Sequence, residues 1–153
     1  MKCLRLCIVY DTRREHGATK RIVEWMAEEA GRMGVQVDVR RPWEVEDFNY
    51  DFFIVGSPVY WEKPMATIIG FLADHSGELA GRKVAVFIVC LANVFGKLTS
   101  GYVKKRYLDP LIRRVSGVLV ASTALKGWVR KADAKQEENC RKWVRKVIEE
   151  AST

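Results

Sequence analysis

The sequence predicts an α/β fold, a three-layer α/β/α sandwich around a five-stranded parallel sheet. Short apolar runs alternate with amphipathic helical stretches along the whole chain, which is the order that a sheet covered by helices produces. The runs containing Ile8-Val9, Phe53-Ile54-Val55 and Val84 to Ala92 are apolar on consecutive residues, as strands buried on both faces must be. Turn-rich segments follow the first, third and fourth runs, and ligands of open α/β sheets bind outside the carboxyl ends of the strands.

Each element has its own signal. The first strand is predicted over Leu4 to Tyr10, and the first helix over Ala18 to Met33. There Ile22, Val23, Met26, Ala27, Ala30 and Met33 share a face, and Gly31 and Gly34 supply the stop. Val35 to Arg40 alternates apolar and polar residues, which suits an edge strand. Pro42 to Asn49 offers little helix before a third strand at Phe52 to Gly56. Pro64 is read as a first-turn residue of a short helix carrying Ile68, Ile69 and Leu72 and ending near Ser76-Gly77. The fourth strand covers Val84 to Leu91. Ser100 to Val115 is helical in pattern, with Pro110 predicted to kink or split it. A fifth strand at Val118 to Ala124 precedes a final helix, Ala132 to Ala151, that buries Cys140, Trp143, Val144, Val147 and Ile148. Glu137 to Arg141 and Glu138 to Lys142 are i,i+4 pairs on its wet side.

With 153 residues, 48% of them hydrophobic, the chain is expected to form one domain over 1–153. Lys2 and Arg5 interrupt the apolar N-terminus, unlike a signal peptide. The longest apolar run, Val84 to Ala92, is far short of the roughly 20 residues that span a bilayer. A cytoplasmic protein is expected. The four cysteines, Cys3, Cys7, Cys90 and Cys140, lack metal-type spacing and are expected to be small apolar residues of strands and a helix, so no metal site is predicted. The net charge of +7 is unevenly placed: Lys97 to Lys135 holds ten Lys or Arg against Asp109 and Asp133. That stretch attracts an anionic ligand, an acidic protein or membrane surface, or nucleic acid.

Three segments carry candidate binding residues. Thr12, Arg13, Arg14, His16, Gly17, Ala18 and Thr19 lie where the first strand turns into the first helix. Hydroxyls, helix-start amides and a flexible glycine there suit a phosphate. Ser57, Pro58, Val59, Tyr60 and Trp61 follow the third strand and offer two aromatic faces to a planar ring. Leu91, Ala92, Asn93, Phe95 and Gly96 follow the fourth, where amides and Asn93 meet the polar edge of a heterocycle. No catalytic acid or base is singled out.

With Gly56-Ser57-Pro58-Val59-Tyr60-Trp61 after the third strand and Gly127-Trp128 after the fifth, the chain resembles the flavodoxin-like family, in particular the single-domain branch that includes protoporphyrinogen-oxidase-type proteins. The resemblance runs from Cys3 through the last helix. It implies strand order 2-1-3-4-5 and FMN at the switch point, as the family is known for. It also implies that residues 12–19 hold the phosphate, Ser57 to Trp61 flank the isoalloxazine, and Leu91 to Gly96 close its far side. Two features differ from the family pattern. Thr12 precedes Gly17 by five positions, a loop about two residues longer, and Trp61 is followed by Glu62-Lys63 in place of a glycine able to flip its peptide.

The implied function is electron transfer, or flavin-dependent oxidation and reduction, on an anionic small-molecule substrate or redox partner protein. Positive charge near the ring favours its anionic reduced form and raises its potential. The alternative is a flavin-free module of the same fold that uses the basic surface of residues 97–135, with Phe95, Tyr102, Tyr107 and Trp128 interspersed, for nucleic acid or an acidic partner. A phosphoacceptor receiver is disfavoured because Asp11 stands alone after the first strand, and no G-x-G-x-x-G supports a dinucleotide dehydrogenase.

Overall fold

The computed structural model describes residues 3–14, 16–60, 63–90, 103–128 and 131–153. Five parallel strands form the sheet: β1 (Arg5–Tyr10), β2 (Gln36–Arg40), β3 (Phe52–Tyr60), β5 (Lys83–Cys90) and β6 (Val118–Lys126). A two-residue strand, β4 (Lys63–Pro64), folds back antiparallel on the end of β3. Spatial order is β2-β1-β3-β5-β6, which is the expected 2-1-3-4-5 once the hairpin strand is counted. The alternating β2 lies at an edge, paired to β1 alone.

Helices cover both faces. α1 (Ala18–Arg32) and the final α5 (Ala134–Ala151) pack over one core that includes Leu6, Ile8, Met26, Phe87 and Val144. α2 (Ala66–Asp74), α3 (Ser76–Leu79) and α4 (Asp109–Ile112) cover a second core around Val9, Phe53, Ile68, Val86 and Leu111. Residues 52–55 and 84–88 are fully buried, because consecutive side chains enter opposite cores. At the α1–α5 seam, Glu29 is buried between Arg145 Nη1 at 2.9 Å and Arg141 Nη1 at 3.3 Å. Their charges and hydrogen bonds compensate its loss of water.

Three expectations are corrected. β3 does not stop at Gly56 but runs to Tyr60, pairing Ser57 with Ile88 and Pro58 with Val89 of β5. Pro58 is tolerated because β1 ends opposite Gly56, leaving β3 a free edge on that side. Pro64 does not open α2; it lies in β4, and α2 begins at Ala66. α5 starts at Ala134, not Ala132, because Asp133 caps it: its side chain accepts from Gln136 N at 2.8 Å and its own N–H donates to Gln136 Oε1 at 2.8 Å. This capping box is written in the sequence as Asp133-x-x-Gln136. The helix before β6 is interrupted, as Pro110 predicts. A π-helical turn, Lys104–Leu108, widens the backbone immediately before α4, relieving the clash of the ring with the carbonyl four residues back.

Candidate functional site

Because the strands run parallel, the loops after β1, β3 and β6 emerge at one end of the sheet. The switch point lies at β1, from which the chain crosses first to β2 and then to β3 on the opposite side. There a cavity of about 210 Å³ opens, lined by Thr12, Arg14, His16, Gly17, Ala18 and Thr19 from the first loop and by Pro58, Val59 and Tyr60 from β3. Val89, Cys90, Gly127 and Trp128 complete it. Two of the three expected segments therefore converge.

The α1 end of this cavity is rich in donors. Gly17 is the N-cap residue and no side chain among the described residues caps the helix, so among them the first-turn amides have no side-chain acceptor. Thr19 is 4% exposed and lines the cavity, and among the described residues its hydroxyl has no partner. Arg14 and His16 add two cationic or donor side chains. Amides at a helix start, a hydroxyl and a guanidinium together suit a phosphate-sized anion.

Thr12 plays a different part in the longer loop. Its Oγ1 accepts from Arg14 N at 3.2 Å and lies 3.2 Å from the Tyr60 hydroxyl, which also accepts from Arg13 N at 3.3 Å. The Arg13 guanidinium sits 5.2 Å from the Tyr60 ring centre. Tyr60 thus ties the tip of β3 to the first loop while its half-buried side chain borders the cavity. Arg13 does not line the cavity. Neither does Ser57, which is fully buried: its Oγ accepts from Met65 N at 2.8 Å and donates to Pro58 O at 2.7 Å, fixing the entry to α2. Trp61, Leu91, Ala92, Asn93, Phe95 and Gly96 lie outside the described residues.

Three contributors, though named in the sequence reading, were not among its expected binding residues. Asp11, 4% exposed, is a junction. Its Oδ1 accepts from Thr12 N at 2.8 Å and Arg41 Nη1 at 2.7 Å, and its Oδ2 accepts from Thr67 Oγ1 at 2.6 Å. One carboxylate so joins the first loop, the loop after β2 and the start of α2. No motif spacing predicts partners 30 and 56 positions away. Gly127 donates its N–H to Cys90 O at 2.6 Å, and a Cβ there would come within 2.9 Å of Val89 Cγ1, so glycine lets the post-β6 loop close against β5. Trp128 lies 5.4 Å from Trp25, ring centre to ring centre, and forms a wall of the cavity; its pairing with Gly127 was the available signal.

Burial pushes the Cys7, Cys90 and Cys140 thiols up to about 12, and Cys3 is exposed and free. No cluster of three or more metal-ligating side chains occurs among the described residues. Among them, too, no helix is long and apolar enough to cross a membrane.

Residues 7–126 match the model of the flavodoxin domain. No curated protein matches. Among solved structures the chain is similar to rubredoxin oxygen:oxidoreductase from Desulfovibrio gigas (16% identity, TM-score 0.71), covering 97% of this chain but only 36% of that one. It is also similar to oxidised flavodoxin 2 from Bacillus cereus, at 21% identity and TM-score 0.69, covering 95% of this chain and 98% of that one. Two-electron reduced flavodoxin from Megasphaera elsdenii aligns at 15% identity and TM-score 0.68, covering 97% and 99%. With the strand order, the switch-point cavity and a family match over most of its length, the chain belongs to the flavodoxin domain family.

Proposed function

We propose that the chain, as a single flavodoxin-like unit, binds FMN at the tips of β1, β3 and β6 and serves in electron transfer or as an FMN-dependent oxidoreductase. The observation that supports this most directly is the donor-lined cavity at the β1 switch point. Its volume, near 210 Å³, is below the range of about 300–1,000 Å³ typical for a whole cofactor pocket. It suits the phosphate and polyol tail, with the ring outside it at the rim.

The residues present fit that group. The α1 amides, Thr19, Arg14 and His16 would hold the phosphate, and Thr12 would hold the loop closed through Arg14 and Tyr60. Gly127 gives the chain its close approach to β5, and Tyr60 and Trp128 would border the polyol and the ring. When bound, FMN supplies electron acceptance and release at its ring. The protein orients it, limits its contact with water and sets its potential. Exposed cations at the rim favour the anionic reduced ring, which suits an anionic substrate or acidic redox partner. Likeness to protoporphyrinogen-oxidase-type proteins is the finer form of this reading, supported by Gly56 to Trp61 and Gly127-Trp128.

The experiment is FMN titration of the apo protein, following flavin fluorescence. Quenching with saturation at micromolar protein is expected, and Thr19→Val together with Arg14→Ala should weaken binding about tenfold or more, since charge-assisted hydrogen bonds contribute about 1.5–3 kcal/mol each. Absence of quenching refutes the proposal.

A further inference from the structure

Around the cavity mouth stand cations from four separate chain segments. Arg13 and Arg14 are exposed on the loop after β1, Lys63 on the β3–β4 hairpin, Lys104 and Lys105 on the π-helical turn packed against β4, and Lys131 after β6. None of the six forms an ion pair among the described residues, whereas three arginines of the α1 and α5 layer do: Arg21 with Glu24, Arg32 with Glu28, Arg141 with Glu28, Glu29 and Glu137. The carboxylates described near the mouth are already engaged, Asp11 by Arg41 and Thr67 and Asp133 in the cap of α5.

Exposed acids Glu44, Glu46 and Asp47 lie in the connection from β2 to β3, grouped with Arg5, Arg40 and Tyr50. The six cations are spread over the tips of β1 to β6. From β1 to β6 is three strand spacings, about 14 Å at ~4.8 Å each. Unpaired like charges held that far apart repel one another, and no small anion bridges them all. An acidic patch on a folded protein does.

We infer that this rim is a docking surface for an acidic electron-carrier protein, an inference that rests on the redox role proposed for the cavity. The carrier's acidic patch meets Arg13, Lys63, Lys104, Lys105 and Lys131, while Arg14 is left to the phosphate, which brings the carrier's redox centre over the cavity mouth. The pairs formed are rim pairs, exposed to solvent, so they govern encounter rate and salt sensitivity more than lifetime.

Binding of the whole chain, with and without FMN, tests this by calorimetry against a panel of acidic plant-type and bacterial ferredoxins, with basic cytochrome c and a single-stranded oligonucleotide as controls. The expected result is micromolar binding of at least one ferredoxin at about 20 mM salt, weakened about tenfold or more at about 300 mM. Lys104→Glu/Lys105→Glu/Lys131→Glu should abolish that binding and leave thermal stability and FMN affinity at wild-type values. Binding of no ferredoxin, salt-independent binding, tighter binding of cytochrome c or of the oligonucleotide, or a triple variant that still docks overturns it. If FMN binds and no ferredoxin does, the docking surface falls and the cofactor proposal stands; if a ferredoxin docks on a chain that takes no FMN, the reverse holds.

Discussion

Asp11→Asn isolates the junction beneath the first loop. The carboxylate is almost fully buried, and Arg41, with 18% of its side chain exposed, reaches it at 2.7 Å. Truncating one member of a buried ion pair typically costs about 3–5 kcal/mol, because the other charge is left uncompensated. Asparagine keeps the shape and one acceptor, so the loss should be nearer that of a charge-assisted hydrogen bond, about 2 kcal/mol. For a domain of this size that is about 4–8 °C in Tm. The assay is urea unfolding of the wild type, Asp11→Asn, Arg41→Met and the double variant. Two groups that act through one bond should couple by about 1–2 kcal/mol, so the double variant should cost clearly less than the sum of the singles. FMN and riboflavin affinities measured on the same proteins supply a second readout. If Asp11 holds the phosphate loop in its binding shape, Asp11→Asn should weaken FMN several-fold more than riboflavin, which lacks the phosphate. Additive stabilities within about 0.5 kcal/mol, with FMN and riboflavin weakened alike, would refute the reasoning.

Other expectations follow from the core and the α1–α5 seam. Gly56 pairs with Phe87 across β3 and β5, and a Cβ there would overlap the Phe87 ring at Cζ; Gly56→Ala should therefore destabilise by about 3 kcal/mol, at the upper end for overpacking, and Phe87→Leu should recover part of the loss in urea unfolding. A hydrogen bond from Arg145, opposed by burial and reinforced by Arg141, holds the Glu29 carboxyl below the ordinary carboxylate range. Its folded value is thus lower than its unfolded one, so its stabilisation is complete above about pH 4.5 and is lost as pH falls through the folded value. Urea midpoints taken from about pH 7 down to about pH 3 should fall less steeply in Glu29→Gln than in the wild type, and parallel curves would remove Glu29 as the cause.

Much of the fold was legible because periodicity along a chain reports which faces are buried. Consecutive apolar residues at Phe53-Ile54-Val55 and from Val84 to Cys90 signalled burial on both faces, and every one of them is buried. The alternation of residues 35–40 marked β2 as an edge. The first loop was legible as a helix start, and it does line the cavity. Ser57 illustrates the limit: a hydroxyl after an apolar strand reads as a ligand contact, yet it is spent on Met65 N. Which neighbour satisfies a polar atom depends on where the chain returns, eight residues later in this case.

The amino-acid order by itself determined the parallel sheet, the two helical layers and the end of the sheet at which binding residues collect, since burial on both faces and strand direction are written in local pattern. Only the tertiary structure decided that β3 continues through Pro58 to Tyr60, that Asp11 gathers Arg41 and Thr67, and that Val89, Cys90, Gly127 and Trp128 close the cavity against residues 12–19. Those contacts join positions tens of residues apart, and their formation depends on the strand order β2-β1-β3-β5-β6. A local pattern carries no distance to a residue on another strand; packing of the whole sheet supplies it.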